Sequence, residues 1–449
     1  MLGQIWQMGQ LGLGAFLIAA VSVEMARRPI ILVFGLLGIY AWSLVSTGEM
    51  ISTQVAGVNV SVIDIVNIVA FGAALIRMRR GPSRWQWVLL GAMVLTMYAA
   101  LRGAIDLGGT ALLGFRAELY FVIPALFIAT LARSMIPRVV RAIIIFGVVL
   151  SVVAVARWVA LTIGISLTPL ASGGYAIDRV INASAALWIA FTIVFLVVAL
   201  LQGRFVGKGW VTWGATTLTL AVVLFSQHRS VWVATASMLA VALVGTRRRW
   251  YMKATIVGVA IVGILVIGSL GPDDVGVVGD SLAAAASDVR TWEWRLERWE
   301  NVWAAHAARG VSAIILGTGY GYAWVSGAIG VWEASPHNGY LQIAVRLGLL
   351  GAMLVFWPYL VVLVRRWSTT DTVGRVLWLW IIGTLVYYVP YSANPLTGVV
   401  LGASLVLIQA GRDGAFHTIR EPPRVMSSTF PIEPGSSGGQ PAAAHQRDL

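Results

Sequence analysis

Apolar runs of about 20 residues recur from one end of the chain to the other, separated by short polar connections, and this pattern predicts transmembrane helices. Barrel strands alternate over segments of about 10 residues, so continuous runs exclude a barrel. Helices also satisfy their backbone groups internally, as a bilayer requires. Hydropathy places them near 9–25, 30–47, 56–77, 85–101, 116–133, 139–162, 180–202, 209–226, 230–246, 251–269, 338–364, 375–390 and 395–410. The expected fold is all-α, a polytopic bundle of thirteen helices. It has twelve if the first, interrupted by Glu24, is a re-entrant piece. That first segment lacks a basic n-region and runs directly into the second apolar stretch, so it reads as retained rather than as a secretory signal. Beyond Pro422 the chain turns to Pro, Gly, Ser, Ala and Gln, which predicts a disordered cytoplasmic tail. The expected organisation is therefore N-terminal helices over 1–209, a core over 210–365 that includes a loop at 271–336, C-terminal helices over 366–411 and a tail over 412–449.

Composition agrees with membrane embedding: hydrophobic residues make up 58% of the chain and charged residues 11%, against roughly 25% charged in ordinary globular proteins. With no cysteine, neither disulfides nor thiolate metal sites nor thiol nucleophiles are available. The net charge of +13 is nearly all arginine, Lys208 and Lys253 being the only lysines. Every second connection is basic: Arg27 and Arg28; Arg77, Arg79, Arg80 and Arg84; Arg133, Arg138 and Arg141; Arg204 and Lys208; Arg247, Arg248, Arg249 and Lys253; Arg365, Arg366 and Arg375. The positive-inside rule makes these connections cytoplasmic, in the plasma (inner) membrane. The amino terminus then lies outside, and the tail with Arg412, Arg420 and Arg424 inside.

Ten arginines remain on the outer half of this map: Arg102, Arg116, Arg157, Arg179, Arg229, Arg290, Arg295, Arg298, Arg309 and Arg346. Snorkelling to lipid head groups is the ordinary reading of such residues. Arg229 fits it less well, since it stands in the tight turn of LFSQHRSVWVA with no acidic residue nearby in sequence. Arg346 lies about two turns inside a helix, where a cation usually faces a polar cavity. Guanidinium groups gathered on one face make an anion site for phosphate oxygens, and a lipid-linked diphosphate fits it.

The loop between the tenth helix and His337 is the only stretch long enough for a small extracytoplasmic subdomain. Its centre, SLAAAASDVRTWEWRLERWENVWAAHAARG, reads as an amphipathic helix with a stripe of Trp292, Leu296, Trp299 and Trp303 for packing or for lying on the membrane. Arg295 and Arg298 sit beside the stripe, with Glu293 and Glu297 as intrahelical partners. ILGTGYGYAW follows, its glycines permitting a tight turn and a close backbone approach to a ligand. It lacks the strand, helix and acidic residue of a nucleotide-phosphate loop. Next comes SPHNGYLQIAVRLGLLGAML, where Ser335 and Pro336 mark a helix start with His337 and Asn338 in its first turn. The helix dipole disfavours an imidazolium there, so a neutral His337 able to accept a proton is expected. The carboxylates of the outer loop, Asp273, Asp274, Asp280 and Asp288, form no metal-ligand pattern.

Four pieces in this order, SQHRSVWVA, RLERW, LGTGYG and HNGYLQIAVRLGLLG, resemble the O-antigen ligase and polymerase family of membrane glycosyltransferases. The resemblance covers residues 210–365 closely, and elsewhere extends to helix number, hydropathy and the early SVIDIVNI segment. The family's arginine at the short outer turn falls on Arg229. Its loop arginine followed four residues later by an aromatic falls on Arg295 with Trp299, Arg298 being the other register, and its histidine falls on His337. His228 stands where the family commonly has a small or hydroxyl residue, making the turn bulkier. The resemblance implies an inverting, metal-independent and cofactor-free transfer of a glycan from an undecaprenyl diphosphate carrier to an acceptor hydroxyl outside the membrane. His337 acts as base, Arg229 and Arg295 stabilise the departing diphosphate, and Arg298, Asn338, Arg116, Arg157, Arg179 and Arg346 supply further substrate contacts. Expected partners are the carrier-linked donor, a glycan, lipid or protein acceptor and the bilayer, with no nucleic acid. A lipid A core as acceptor makes a ligase, and a second carrier-linked repeat makes a polymerase. The rival from another class is a transporter or flippase of a lipid-linked or anionic substrate, for which Asp64 and Glu118 are the main membrane carboxylates.

Overall fold

The computed structural model describes residues 2–46, 52–55, 58–79, 81–108, 114–163, 165, 180–203, 208–226, 228–244, 290–321, 324–326, 330–332, 336–365 and 371–412. In chain order the helices are α1 (Leu2–Arg27), α2 (Pro29–Val45), α3 (Val62–Met78), α4 (Arg84–Leu107), α5 (Arg116–Ala129), α6 (Ile136–Thr162), α7 (Ala183–Gln202), α8 (Gly209–Phe225), α9 (Arg229–Val244), α10 (Arg290–Ala307), α11 (Val311–Leu316), α12 (Gly339–Val364), α13 (Thr372–Tyr387) and α14 (Pro395–Arg412). All the expected spans therefore form helices among the described residues, except that at 251–269, which lies outside them, as does the expected tail. Residues 84–107, 133–160, 183–202 and 339–364 are each long and apolar enough to cross a bilayer, and α8, α9, α13 and residues 395–409 are shorter apolar helices. Gly14–Arg27 and Pro29–Val45 together are apolar enough as well, bent by 114° at their junction as a broken span or re-entrant pair. Glu24 is paired there with Arg28 at 2.7 Å and Arg27 at 3.8 Å, and Pro29 opens the second helix from a position where it needs no N–H partner.

α7 is apolar all round and buried on nearly every side, which puts it at the centre of the bundle. α6, α8, α9 and α13 pack around it. Trp188 and Trp380 are fully buried and each donates its indole N–H to a helix carbonyl, Ile143 O at 2.7 Å and Phe191 O at 2.8 Å. In hydrocarbon an unmatched indole N–H is costly. Large apolar side chains such as Trp87, Met97, Ile105, Val152, Met353 and Trp357 point outward, as lipid-facing positions do.

The third helix starts later than its hydropathy suggests. Residues 58–61 form a strand, β2, paired antiparallel with β1 (Ser52–Val55). The helix opens at Val62 because the N–H and hydroxyl of Ser61 both donate to Asp64 at 2.8 Å, closing a capping box. A second small hairpin pairs β3 (Trp324–Ser326) with β4 (Gly330–Trp332).

Basic side chains at one end of the bundle meet helix C-termini. Arg77 donates to Ala26 O at the end of α1 and to Thr130 O just past α5, Arg375 to Ala242 O near the end of α9, and Arg365 to Ile408 O in the last turns of α14. Each guanidinium thus meets carbonyls at or near the negative end of a helix dipole, those of Ala26 and Ala242 being among the last carbonyls that lack an intrahelical donor.

The glycine motif at 317–321 is a crossing point between helices. α12 breaks at Gly348, whose φ is 69°. The segment after α11 inserts at the break, Thr318 N–H donating to Val345 O at 2.8 Å and Gly319 N–H to Arg346 O at 3.3 Å. A Cβ on Gly317 would lie 2.2 Å from Arg346 O, and one on Gly348 would lie 2.1 Å from Ile315 O. On its other side Tyr320 N–H donates to Ala99 O of α4, and a Cβ on Gly103 would lie 1.9 Å from Tyr320 O. The close approaches of these glycines are thus to the backbones of α4 and α12, and the expectation that they admit a ligand gives way to a packing role. Gly103→Ala is a sharp test. Alanine raises helix propensity by about 1 kcal/mol, yet the clash costs about 1–3 kcal/mol. The expected result is a lowered unfolding midpoint in detergent, and a raised midpoint contradicts this crossing.

Candidate active site

α12 begins at Gly339, later than the sequence implies, because Asn338 is its cap. The Asn338 Oδ1 accepts from Leu341 N–H at 3.0 Å. His337 therefore stands just before the helix rather than in its first turn, in the left-handed region with φ of 50°. Among the described residues it is the only non-glycine there, and such a conformation persists only where neighbours hold it. Those neighbours are visible on both sides. Pro336 O accepts from the Trp299 indole of α10 at 2.8 Å, and Gly339 N–H donates to Tyr388 O at 2.8 Å.

The inward face of α10 is offset from the aromatic stripe that the sequence suggests. Arg298, Val302 and His306 are buried and Arg295 and Trp299 half-buried, whereas Leu296 and Trp303 are exposed and the side chain of Trp292 lies outside the description. Val302 packs against Val345 and Leu341 of α12, which turns both arginines toward the His337 end of that helix. Glu293, Glu297 and Glu300 lie on the exposed side. Arg298 is 4% exposed, with its guanidinium 5.1 Å from the Trp294 ring centre. The His337 ring is open to solvent but crowded by protein. That partial desolvation, followed by the charges of Arg295 and Arg298, lowers its proton affinity below the ordinary imidazole range. The structure therefore brings His337, Arg295 and Arg298 within electrostatic reach of one another.

Arg229 opens α9 directly after a buried His228. The carbonyl of Ile181 can only accept, so His228 Nε2, 2.9 Å away, carries the proton, and Nδ1 accepts from the Tyr391 hydroxyl at 3.4 Å. Tyr391 also abuts the start of α12, since a Cβ on Gly339 would lie 2.8 Å from Tyr391 O. The Arg229 turn and the His337 cap thus share one neighbour.

The second-rank arginines are placed differently. Arg116 pairs with Asp64 at 3.5 Å and donates to Asn59 O, beside the Tyr120 hydroxyl that donates to the same carboxylate. Arg157 donates to Val45 O at the end of α2. Arg346 is buried under the glycine crossing and donates to Gly319 O at 2.9 Å. Close by, Glu118 accepts from Gln342 of the same helix at 2.7 Å. Arg179 lies outside the described residues. Asp64 and Glu118, the carboxylates of the transport alternative, are thus engaged in a helix cap and in a buried contact between α5 and α12. Among the described residues no three His, Asp or Glu side chains gather as a metal-ligand set.

Residues 214–356, which span the Arg229 turn, α10, the glycine crossing and the His337 cap, match the family described as O-antigen ligase. Over that stretch the chain is similar to the O-antigen ligase family. No curated protein and no solved structure matches the chain. That similarity, with the apolar helices, supports a multi-pass membrane protein with a glycosyl-transferring role in polysaccharide biosynthesis. Two contacts around the site carry no sequence signal. Tyr391 lies outside the matched segment 214–356 and bears no charge, and the Trp299 tether to Pro336 joins positions 37 residues apart.

Proposed function

We propose that the chain transfers a glycan from an undecaprenyl diphosphate carrier to an acceptor hydroxyl at the extracytoplasmic face, with inversion and without a metal. What supports this reading above all is the convergence of His337, Arg295 and Arg298 at the cap of α12 inside the segment similar to the O-antigen ligase family. The acceptor oxygen attacks the anomeric carbon and forms the new glycosidic bond, while its proton passes to the neutral His337 ring. The bond from the anomeric carbon to the phosphate oxygen breaks, and its electron pair leaves on the diphosphate. Arg229 and Arg295 stabilise that charge through planar, bidentate contacts, with Arg298 beside them. Inversion follows because nucleophile and leaving group lie on opposite faces of the sugar ring. Arg116, Arg157, Arg179 and Arg346 are assigned no step, since those described are engaged with other parts of the bundle.

The pH profile tests the base. A neutral imidazole is needed, and both desolvation and the two arginines disfavour its charged form, so the acidic limb of kcat/KM is expected below 6.5. Arg298→Gln removes one of those charges and moves the limb upward. The measurement is initial rate against pH in proteoliposomes with carrier-linked glycan from the native host. A limb that stays in place when Arg298 is replaced contradicts the arrangement. Movement of the glycan across the bilayer with no new glycosidic bond favours the transport alternative.

A further inference from the structure

We infer that Tyr391 is a positioning residue, holding the Arg229 turn in register with the His337 cap by acting through His228. The inference rests on the functional reading above and adds a residue from outside the matched segment 214–356. Tyr391 stands at the turn between α13 and α14, and that turn is fixed on both sides. Toward α14, Asn394 and Thr397 cap each other, Thr397 N–H donating to Asn394 Oδ1 and Asn394 N–H to Thr397 Oγ1. Toward the interior, the Tyr388 hydroxyl donates to Thr397 Oγ1 at 2.7 Å and lies 3.0 Å from the Tyr359 hydroxyl. The Tyr391 ring stacks on Tyr387 at 4.8 Å, and Tyr387 reaches Ser184 at the start of α7. A side chain mounted on such a support has few places to move.

From this support Tyr391 makes contacts with both halves of the proposed site. Its hydroxyl reaches His228 Nδ1, and its ring meets the imidazole edge-on at 6.4 Å. His228 is also tethered through Nε2 to Ile181 O, so the ring is held by both nitrogens and the following residue, Arg229, starts α9 from a set position. The main chain of Tyr391 packs on Gly339, two residues beyond His337, at a distance that leaves no room for a side chain. The bulky residue before the arginine is thereby explained: a small or hydroxyl side chain at position 228 would not span from Ile181 to Tyr391. A displaced guanidinium misses the developing charge on the diphosphate, which is a defect of the transition state rather than of donor binding.

The test compares wild type, Tyr391→Phe, Arg229→Lys, the double variant and Arg229→Ala. All are purified, matched for melting temperature and reconstituted with carrier-linked glycan and acceptor lipid extracted from the native host. Tyr391→Phe keeps the stacking and removes only the hydroxyl. The expected result is a kcat about threefold to tenfold lower, the range for one neutral hydrogen bond, with donor KM within about twofold of wild type. In the Arg229→Lys background the same change is expected to cost less than about twofold, because the group it positions is gone. Equal losses in both backgrounds mean a merely structural tyrosine and overturn the inference. A wild-type kcat for Tyr391→Phe overturns it too, while an inactive Arg229→Ala in the same experiment leaves the functional reading standing. If Arg229→Ala transfers with both kcat and donor KM of wild type, the functional reading falls and this inference with it.

Discussion

Replacing His337 by asparagine is expected to slow glycan transfer by about 10²–10⁴-fold while leaving the protein folded and abundant, that being the usual contribution of a positioned general base. Asparagine is chosen for a backbone reason. Position 337 has φ of 50°, where most side chains crowd the following carbonyl at a cost of about 1–2 kcal/mol and asparagine is among the residues that tolerate it. Alanine would mix the loss of the imidazole with strain at the helix cap, whereas asparagine removes only the proton acceptor. The Trp299 tether to Pro336 O and the Asn338 cap use groups outside the replaced side chain and survive the change. Surface polysaccharide and carrier-linked intermediates are compared with wild type in the native host at equal protein level. Normal polymer in the asparagine variant excludes His337 as the base. Loss of polymer with retained carrier-linked glycan supports it, and the length of the retained glycan separates a polymerase from a ligase.

Arg229→Ala is expected to cost about 10²–10³-fold in kcat, the scale for removing one donor to a developing oxyanion. Arg229 is the first residue of α9, and the side chains of His228, Ser226 and Trp232 help to hold the turn beside it. Lysine at this position keeps the charge but lacks the planar fork, so Arg229→Lys should fall between alanine and wild type. The readout is single-turnover transfer in proteoliposomes, which separates the chemical step from donor binding. An alanine variant with wild-type kcat and a raised KM would assign Arg229 to ground-state binding alone.

The bundle was legible because each span is a long apolar run, and the alternation of basic and arginine-poor connections orders them along the chain. The candidate residues were legible for a different reason: charge and imidazole are rare in such a chain, so each one that sits at a helix end stands out. What could not be read was set by contacts distant in sequence. The glycine motif suggests close approach, but that its partners are Ala99, Gly103 and Arg346 is a matter of tertiary packing. The tryptophan stripe of α10 has a clear helical period, yet Val302 and Arg298 face inward while Leu296 and Trp303 do not. Burial here follows the surface of α12 rather than apolarity, since Val302 docks on Leu341 and Val345 and carries Arg298, one turn before it, inward with it. The hairpin at 52–61 eluded hydropathy because its residues are apolar enough to extend the following helix, and only the Ser61 and Asp64 capping box marks the true start.

The arginines at the helix C-termini bear on how the chain inserts. Arg77 bonds to the last carbonyls of α1 and to the end of α5 together, so the orientation of the first helix is tied to that of a segment made much later. A helix threaded the other way round would present its amide end to the same guanidinium, and repulsion would replace attraction. In the folded bundle the contact therefore favours the orientation seen over its inverse. Arg365 and Arg375 make the like contact near the C-terminal ends of α14 and α9, so three of the described helices carry a guanidinium that matches the sign of their dipole.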